Sequence, residues 1–204
     1  MDWIAINIHL FRMINDLGKE YAFLNPVMIF IAEYLTLFLA ATVMLFWVSR
    51  GNRNRIMIFC AVITFILSEI TAKIASFIHS NKQPFAELPD VNQLIEKAVD
   101  NSFPSDHTIL FFSFCVTFSL FNKKIGFLWL IPACFVGLSR IWVGVHYPSD
   151  VVTGAFISII TALVVFLIMP KFGFTLKLLN LYESLEHFVL SPLQKPKKSN
   201  SKDY

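Results

Sequence analysis

Five long apolar stretches limit what this chain can fold into more than any other feature of the sequence. A helix needs about 20 mainly apolar residues to cross a bilayer core, and residues 26–48, 56–78, 107–121, 125–143 and 150–169 meet or approach that length. The third stretch is short, so its helix is expected to begin before His107. Of the 204 residues, 56% are hydrophobic and only 15% are charged, which is a membrane composition. The sequence therefore predicts an all-α, polytopic membrane helix bundle with about five transmembrane spans.

Two further segments have the pattern of helices that lie along a membrane surface. In residues 2–17 the apolar side chains recur on one helical face, which predicts an interfacial helix, the alternative being a sixth span. A similar pattern returns in residues 178–189, before a polar tail at 191–204 for which we expect disorder. Because no linker or repeat divides the chain, residues 1–190 are expected to form a single membrane-embedded domain.

Basic residues concentrate in alternate connections between the apolar stretches. They lie between stretches one and two, between three and four, and after five, and include Arg50, Arg53, Arg55, Lys123, Lys124, Lys171 and Lys177. Because basic loops stay in the cytoplasm, residues 79–106 and 140–149 are expected to share the extracytoplasmic face of the plasma membrane, with the C-terminus cytoplasmic. In the longer outer loop, Asp90 is expected to cap a short helix and Gln93 to complete a capping box.

The stretch "SFPSDHT" at residues 102–108 places polar groups where the third apolar helix begins. Ser105 is a favourable N-cap residue, and the helix after it offers unpaired backbone N–H groups and positive dipole charge. Such a helix end is a ready site for an anion, and His107 in the first turn lies beside it. The alternative that this stretch alone leaves open is an ordinary capped helix with a histidine at the membrane interface.

The stretch "SRIWVGVHYPSD" at residues 139–150 adds the groups of a phosphoryl-transfer site. The planar guanidinium of Arg140 suits phosphate, and Asp150 follows His146 by four residues. A carboxylate hydrogen-bonded to one imidazole nitrogen leaves the other free as a nucleophile. A zinc site of His107, His146 and Asp150 is the alternative, although the charge of Arg140 would repel a cation. We expect no metal and no other cofactor.

These two blocks resemble two of the three signature motifs of the type 2 phosphatidic acid phosphatase superfamily. The segment "PSDH" and the pattern S-R-x5-H-x3-D carry the resemblance. The segment "SFPSDHT" is most similar to that of bacitracin-resistance (BcrC-like) undecaprenyl-diphosphatases. The resemblance implies that His146 attacks phosphorus, that Asp150 orients it and that His107 protonates the leaving group. It also implies that Arg140, Ser105 and the amides from Asp106 onwards hold the phosphate oxygens, without a metal.

The first signature motif of that family, K-x6-R-P, is not intact in this chain. The aligned proline is Pro84, which places Gln83 at the arginine position and Ser76 at the lysine position. Glutamine can donate a hydrogen bond to phosphate but carries no charge. We therefore expect the adjacent Lys82 to supply the missing cation, with Lys73 as the deeper alternative.

Charged residues inside the apolar stretches are expected to line or support the site cavity, because ions within a membrane usually face an interior. They are Glu33, Glu69 and Lys73, and Glu69 can also pair with Lys73 four residues later. Ser139, which precedes the motif arginine, belongs to the same group of possible supporting residues.

The resemblance implies hydrolysis of undecaprenyl diphosphate, a polyprenyl diphosphate lipid, at the outer face of the membrane. The expected partners are this substrate and membrane lipid, with no nucleic acid. Two alternatives stay open, a lipid monoester phosphatase acting on phosphatidic acid or phosphatidylglycerophosphate, and a small permease. The permease alternative leaves the spacing of His146 and Asp150 unexplained.

Overall fold

The computed structural model describes residues 2–49, 51–122 and 124–169, and in these ranges all regular structure is helical. Its α-helices, in chain order, are α1 (Trp3–Asn15), α2 (Leu17–Glu20), α3 (Asn25–Val48), α4 (Asn52–Ile78), α5 (Pro84–Glu87), α6 (Asp106–Phe121), α7 (Leu130–Trp142) and α8 (Pro148–Ile168). Two 3₁₀ turns, Ala22–Leu24 and Gly126–Trp129, lead into α3 and α7. The all-α prediction is confirmed. The surface helix and tail expected after residue 177 lie outside the described residues.

The five apolar stretches all form helices, but these differ in length. By length and composition, the segments Ala22–Val48, Asn52–Ile78 and Pro148–Ile168 qualify as membrane spans, whereas Asp106–Phe121 and Gly126–Trp142 are shorter. At 1.5 Å per residue, the 16 residues of α6 extend only about 24 Å, less than the roughly 30 Å of a hydrocarbon core. Helix α6 alone is therefore too short to cross the hydrocarbon core.

Helix α6 is the centre of the bundle and packs against α4, α7 and α8. Its side chains are apolar around most of its circumference, which is typical of a helix buried on all sides. Phe111, Cys115 and Phe118 are almost completely buried and form a core cluster with residues of α3, α4 and α7. This packing fixes the position of the N-terminal turn of α6.

Helix α1 lies at the end of the bundle that carries the histidine motif. The apolar residues Trp3 and Leu10 are exposed, as an interfacial helix requires, while Phe11 and Asn15 on another face are completely buried. Phe11 packs against Ile141 and Tyr147, beside the histidine motif. Helix α1 therefore packs on the bundle through one face and leaves apolar side chains of another face exposed.

The short helix expected from Asp90 is not formed, and this prediction is wrong. Asp90 has a backbone φ of 52°, in the left-handed region, whereas an N-cap residue is extended. Its carboxylate accepts a hydrogen bond from Lys19 Nζ at 2.9 Å, and the Gln93 amide donates to the carbonyl of Ile95 at 3.1 Å. A long-range ion pair thus replaces the local capping box, and residues 91–100 contain no helix.

Candidate active site

The two motifs meet at one end of the bundle, as the sequence predicts. The N-termini of α6 and α8 and the C-terminus of α7 lie together, and the backbone N–H of Ser105 donates to the Asp150 carbonyl at 3.2 Å. Gly144 makes the turn from α7 possible, because its φ of 86° is unfavourable for residues with a side chain. A Cβ at Gly144 would also lie only 2.9 Å from the carbonyl oxygen of Asn92.

His146 is held with one ring nitrogen available for chemistry. The residue is only 2% exposed, and its Nδ1 lies 2.9 Å from the carbonyl oxygen of Ser102. A carbonyl only accepts hydrogen bonds, so Nδ1 carries the proton and Nε2 of the neutral ring keeps its lone pair. Burial lowers the pKa of His146, although the nearby carboxylate of Asp150 opposes this effect. The ring is therefore neutral at physiological pH.

Asp150 is not the closest acceptor for the histidine ring, in contrast to the simple pairing that the sequence predicts. Its Oδ2 lies 3.6 Å from His146 Nδ1. The buried carboxylate is instead surrounded by donors. These are the backbone N–H of Tyr147 at 2.9 Å, the hydroxyl of Ser102, the hydroxyl of Ser149 at 3.2 Å and the amide of Asn81 at 3.4 Å. Asp150 thus fixes Ser102, whose carbonyl in turn holds His146.

Arg140 has a buried donor without a protein acceptor. The residue is 3% exposed; its Nη1 donates to the carbonyl of Ala32 at 3.2 Å and lies 3.7 Å from Glu33 Oε1. Within the described part of the chain, its Nε has no hydrogen-bond partner. A buried, charged donor is costly to leave unpaired, so this geometry fits an anion in the site. The Glu33 carboxylate, close to Nη1, supports the positive charge of the guanidinium.

The N-terminal turn of α6 also has free donors. Ser105 occupies the N-cap position, but its hydroxyl accepts a hydrogen bond from the Thr108 hydroxyl at 3.0 Å instead of capping the helix. Among the described residues, the backbone N–H groups of Asp106, His107 and Thr108 have no acceptor. His107 is half-buried, and the charges of Arg140, His146 and Lys97 act on its ring. Asp106 is exposed, and its carboxylate acts electrostatically on Lys97 and Arg140, so the groups of Asp106 suited to an anion are its backbone N–H and not its side chain.

Lys97 and Ser102 are site residues that sequence reasoning missed. Lys97 Nζ lies 3.4 Å from His146 Nε2, although Lys97 comes from the irregular segment 91–100. Nothing in the sequence distinguishes it from Lys82, the other lysine of residues 79–106. Ser102 was detectable in principle, because it begins the stretch "SFPSDHT" that carries the first motif.

The residues at the incomplete motif do not reach His146. Gln83 is completely buried and forms a reciprocal pair with Asp100, donating to its carboxylate and accepting from its backbone N–H at 3.0 Å. Lys82 is exposed and lines a separate cleft with Asn81, Glu87, Val99 and Asp100. The hydroxyl of Ser76 donates to the carbonyl of Lys73 at 2.8 Å. The described contacts of Gln83 are thus with Asp100 of the same loop, and the phosphate contacts expected for Lys82 and Gln83 stay a prediction.

The other expected supporting residues have mixed positions. Glu69 has a buried Oε1 without a partner in the described ranges and interacts electrostatically with Asp106, which places it level with the start of α6. Lys73 is exposed, and no ion pair joins it to Glu69 among the described residues. The Ser139 hydroxyl donates to the Val136 carbonyl of its own helix at 2.7 Å. Ser139 and Lys73 therefore make no direct contact with the histidine site.

Metal ligation is not a feature of this cluster. In residues 2–49, 51–122 and 124–169, no group of three His, Cys, Asp or Glu side chains has an arrangement that could hold a metal ion. The alternative zinc site of His107, His146 and Asp150 is therefore not assembled, because Asp150 is engaged by Ser102 and the N-terminus of α8.

Comparisons with known proteins agree with this site. The sequence profile of the PAP2 superfamily matches residues 58–174, which include both histidine motifs. The chain is 52% identical to "Bacitracin transport permease protein BcrC" of Bacillus licheniformis, over 100% of this chain and 98% of the relative. It is 32% identical to "Undecaprenyl-diphosphatase BcrC" of Bacillus subtilis (strain 168), over 79% of this chain and 83% of the relative. The crystal structure of Aquifex aeolicus LpxE superimposes with a TM-score of 0.66 at 26% identity, covering 78% of this chain and 94% of that one.

Proposed function

The chain belongs to the PAP2 superfamily, and on this premise we propose that it hydrolyses undecaprenyl diphosphate to undecaprenyl phosphate and inorganic phosphate. The observation that carries the proposal is the state of His146, whose Nδ1 is bonded to the Ser102 carbonyl while Nε2 keeps its lone pair. A buried, neutral imidazole with a fixed tautomer is prepared for nucleophilic attack. Recycling of this lipid carrier would explain an effect on bacitracin resistance.

In the first step, Nε2 of His146 attacks the terminal phosphorus. The new N–P bond forms as the bond from phosphorus to the bridging oxygen breaks, and undecaprenyl phosphate leaves with those bond electrons. The unpaired Nε of Arg140 and the free amides at the start of α6 stabilise the charge on the phosphoryl oxygens. Asp150 and Ser102 hold the imidazolium that forms.

In the second step, water breaks the phosphohistidine bond. His107 removes a proton from the attacking water, the new O–P bond replaces the N–P bond, and inorganic phosphate leaves the site. His107 gives the proton to the leaving lipid phosphate in the first step and so returns to its starting state after each turnover. Its position in the first turn of α6, within electrostatic reach of His146 and Arg140, is the observation behind this role. Those positive charges oppose protonation of the ring, and the negative charge of a bound diphosphate would offset them.

The names of two relatives point to different activities, since one is called a permease and the other a diphosphatase. A permease would have no use for a tautomerically fixed histidine beside a buried arginine with an unpaired donor. Both features are needed for phosphoryl transfer. The site geometry therefore favours hydrolysis over transport.

The direct test is phosphate release by the purified protein in detergent, with EDTA present. Undecaprenyl diphosphate and phosphatidic acid are supplied in parallel, and His146→Ala measures the background. We expect metal-independent release of phosphate from the diphosphate, with slower release from phosphatidic acid. A folded protein that releases phosphate from neither substrate would exclude the proposal.

The site is proposed to face the extracytoplasmic side, because the basic connections lie at the opposite end of the helices. A cysteine at Ala98, in a chain whose three native cysteines are replaced, is expected to react with an impermeant thiol reagent on intact cells. Asn52→Cys, at the start of α4 and thus at the other end, is the matched control and is expected to react only after lysis. The reverse labelling pattern would place the site inside the cell.

A further inference from the structure

Among the described residues, Lys97 is the side chain whose polar group contacts the reactive nitrogen of His146. Its ammonium group lies 3.4 Å from Nε2, and a lysine ammonium only donates hydrogen bonds. Lys97 therefore contacts the same lone pair that attacks phosphorus in the proposed function. An entering phosphate must take the place of this ammonium group, because reacting atoms approach within about 3–3.5 Å of each other.

Lys97 has no direct carboxylate partner. It is half-buried, and the positive charge of Arg140 acts on it. The carboxylates of Asp100, Asp106 and Asp150 act on it as well, yet none of them forms an ion pair with Lys97 in the described part of the chain. Arg140 has Glu33 beside it, so Lys97 is the cation of the two that still lacks a close partner, which a phosphate at the site would supply.

The segment that carries Lys97 is hydrogen-bonded to the rest of the protein on both sides of the lysine. On one side, the Leu94 backbone N–H donates to the Val143 carbonyl at 3.1 Å. On the other, Asp100 is paired with Gln83. Between them, the backbone N–H groups of residues 96–99 have no backbone acceptor among the described residues. The two anchors keep Lys97 at the site, and the rotatable bonds of the lysine stem let its ammonium group take more than one position.

We propose that Lys97 is the second phosphate-binding cation of this site, which shifts from Nε2 of His146 to the terminal phosphoryl oxygens when the diphosphate enters. The proposal rests on the proposed function and adds to it the residue that completes the charge of the site. Arg140 is held rigidly by Ala32 and Glu33, whereas Lys97 follows the phosphate. While the site is empty, Lys97 covers the nucleophile.

The test compares Lys97→Met, which keeps the length of the side chain without its charge, with Lys97→Arg, which keeps the charge. Lys124→Met is the matched control, since Lys124 is an exposed lysine in the connection between α6 and α7, at the other end of the helices. With undecaprenyl diphosphate, we expect Lys97→Met to lose roughly 10- to 100-fold in kcat/KM, the cost of a hydrogen bond to a charged group. Lys97→Arg should stay within about tenfold of wild type and Lys124→Met within about twofold.

Inorganic phosphate provides a readout that does not depend on turnover. Its binding to the wild type and the variants is measured by calorimetry and by the rise in Tm that a ligand of the folded state produces. We expect at least about tenfold weaker binding in Lys97→Met and near-wild-type binding in Lys97→Arg. Equal phosphate binding by wild type and Lys97→Met would overturn the proposal. It would also be overturned if Lys97→Met and Lys97→Arg lost the same amount of activity while their phosphate binding stayed unchanged. If wild type cleaves no diphosphate, the proposed function fails, and phosphate binding still decides the role of Lys97.

Discussion

The histidine block, residues 102–107 and 139–150, and the connecting loop, residues 79–100, both face the site but are built by different means. In the histidine block, functional side chains lie at the ends of α6, α7 and α8, so their relative positions follow from helix geometry. In the connecting loop, most of the chain is irregular, and it contacts the site through Lys97 at His146 and Asn81 at Asp150. A motif on helix ends can be interpreted from its spacing, whereas a loop residue is placed by distant contacts.

The same comparison separates two kinds of cation. The Arg140 guanidinium is buried and fixed by the Ala32 carbonyl, so its position is set before substrate arrives. The Lys97 ammonium ends a flexible stem on an irregular segment and contacts the nucleophile directly. The site thus combines a rigid planar donor with a movable point charge. Arginine suits the first role and lysine the second.

The largest expected effect comes from removing the nucleophile of the histidine block. His146→Ala is expected to lower kcat by about 10⁴-fold or more, because no other described side chain takes the position of Nε2. Phosphate release from undecaprenyl diphosphate measures the loss, and acid-labile phosphate trapped on wild type should be absent from the variant. An unchanged Tm would show that the variant is folded, and turnover above one per cent of wild type would exclude His146 as the nucleophile.

A charge-conserving exchange at each cation tests the difference between rigid and movable donors. Arg140→Lys is expected to lower kcat/KM by about 10²-fold, because a single ammonium cannot contact both the Ala32 carbonyl and the phosphate as the planar fork does. The reverse exchange, Lys97→Arg, is the matched comparison and is expected to cost less than about tenfold. If Arg140→Lys is the milder of the two, the rigid cation has been assigned to the wrong residue.

Ser102 tests whether Asp150 acts on the histidine through the neighbouring backbone. Ser102→Ala removes the hydroxyl that donates to Asp150 but keeps the carbonyl that accepts from His146. We expect kcat to fall about tenfold with KM little changed, because the ring loses orientation but not its acceptor. Ser139→Ala is the control, since the Ser139 hydroxyl donates to a carbonyl of its own helix. If Ser139→Ala lowered kcat by more than about twofold, the Ser102 result would not report on the hydrogen bonds between Ser102, Asp150 and His146.

The smallest effect is confined to alkaline pH. Burial, and then the charge of Arg140, lower the pKa of Lys97 from its usual 10.5, while Asp100, Asp106 and Asp150 oppose this shift. The protonated form of Lys97 binds phosphate, so kcat/KM should be at its maximum below the lowered pKa of Lys97 and should decline as pH rises through that pKa. In Lys97→Arg that alkaline decline should move upward, because a guanidinium keeps its proton. Identical alkaline profiles for wild type and Lys97→Arg would remove Lys97 as the titrating group.

Sequence reasoning succeeded where local periodicity controls the outcome. The position of each bundle helix follows from an apolar stretch of suitable length, and the placement of His146 and Asp150 follows from the start of α8. It failed at Asp90, whose carboxylate forms an ion pair with Lys19 of α2 instead of capping a local helix. The role expected for Lys82 stays a prediction, because adjacency to the motif proline does not fix the direction of an exposed side chain.

Helix α1 illustrates the same limit. Its apolar face indicates a membrane-surface helix, and that face is exposed. The contact of Phe11 with Tyr147, and the hydrogen bond of 2.8 Å from the Asn15 amide to the Trp142 carbonyl, have no local signal in the sequence. These contacts join residues more than a hundred positions apart, and only the packed bundle brings them together.

The sequence by itself determined the helical class, the chemical groups of the histidine block and their arrangement at helix ends, because hydrophobic periodicity and residue spacing act over one or two helical turns. Only the tertiary structure decided that the Ser102 carbonyl, and not Asp150, is the nearest acceptor for His146, and that Lys97 is the lysine at the nucleophile. Both outcomes depend on where an irregular loop crosses the ends of packed helices. That path is set by burial and long-range hydrogen bonds, which no short stretch of sequence encodes.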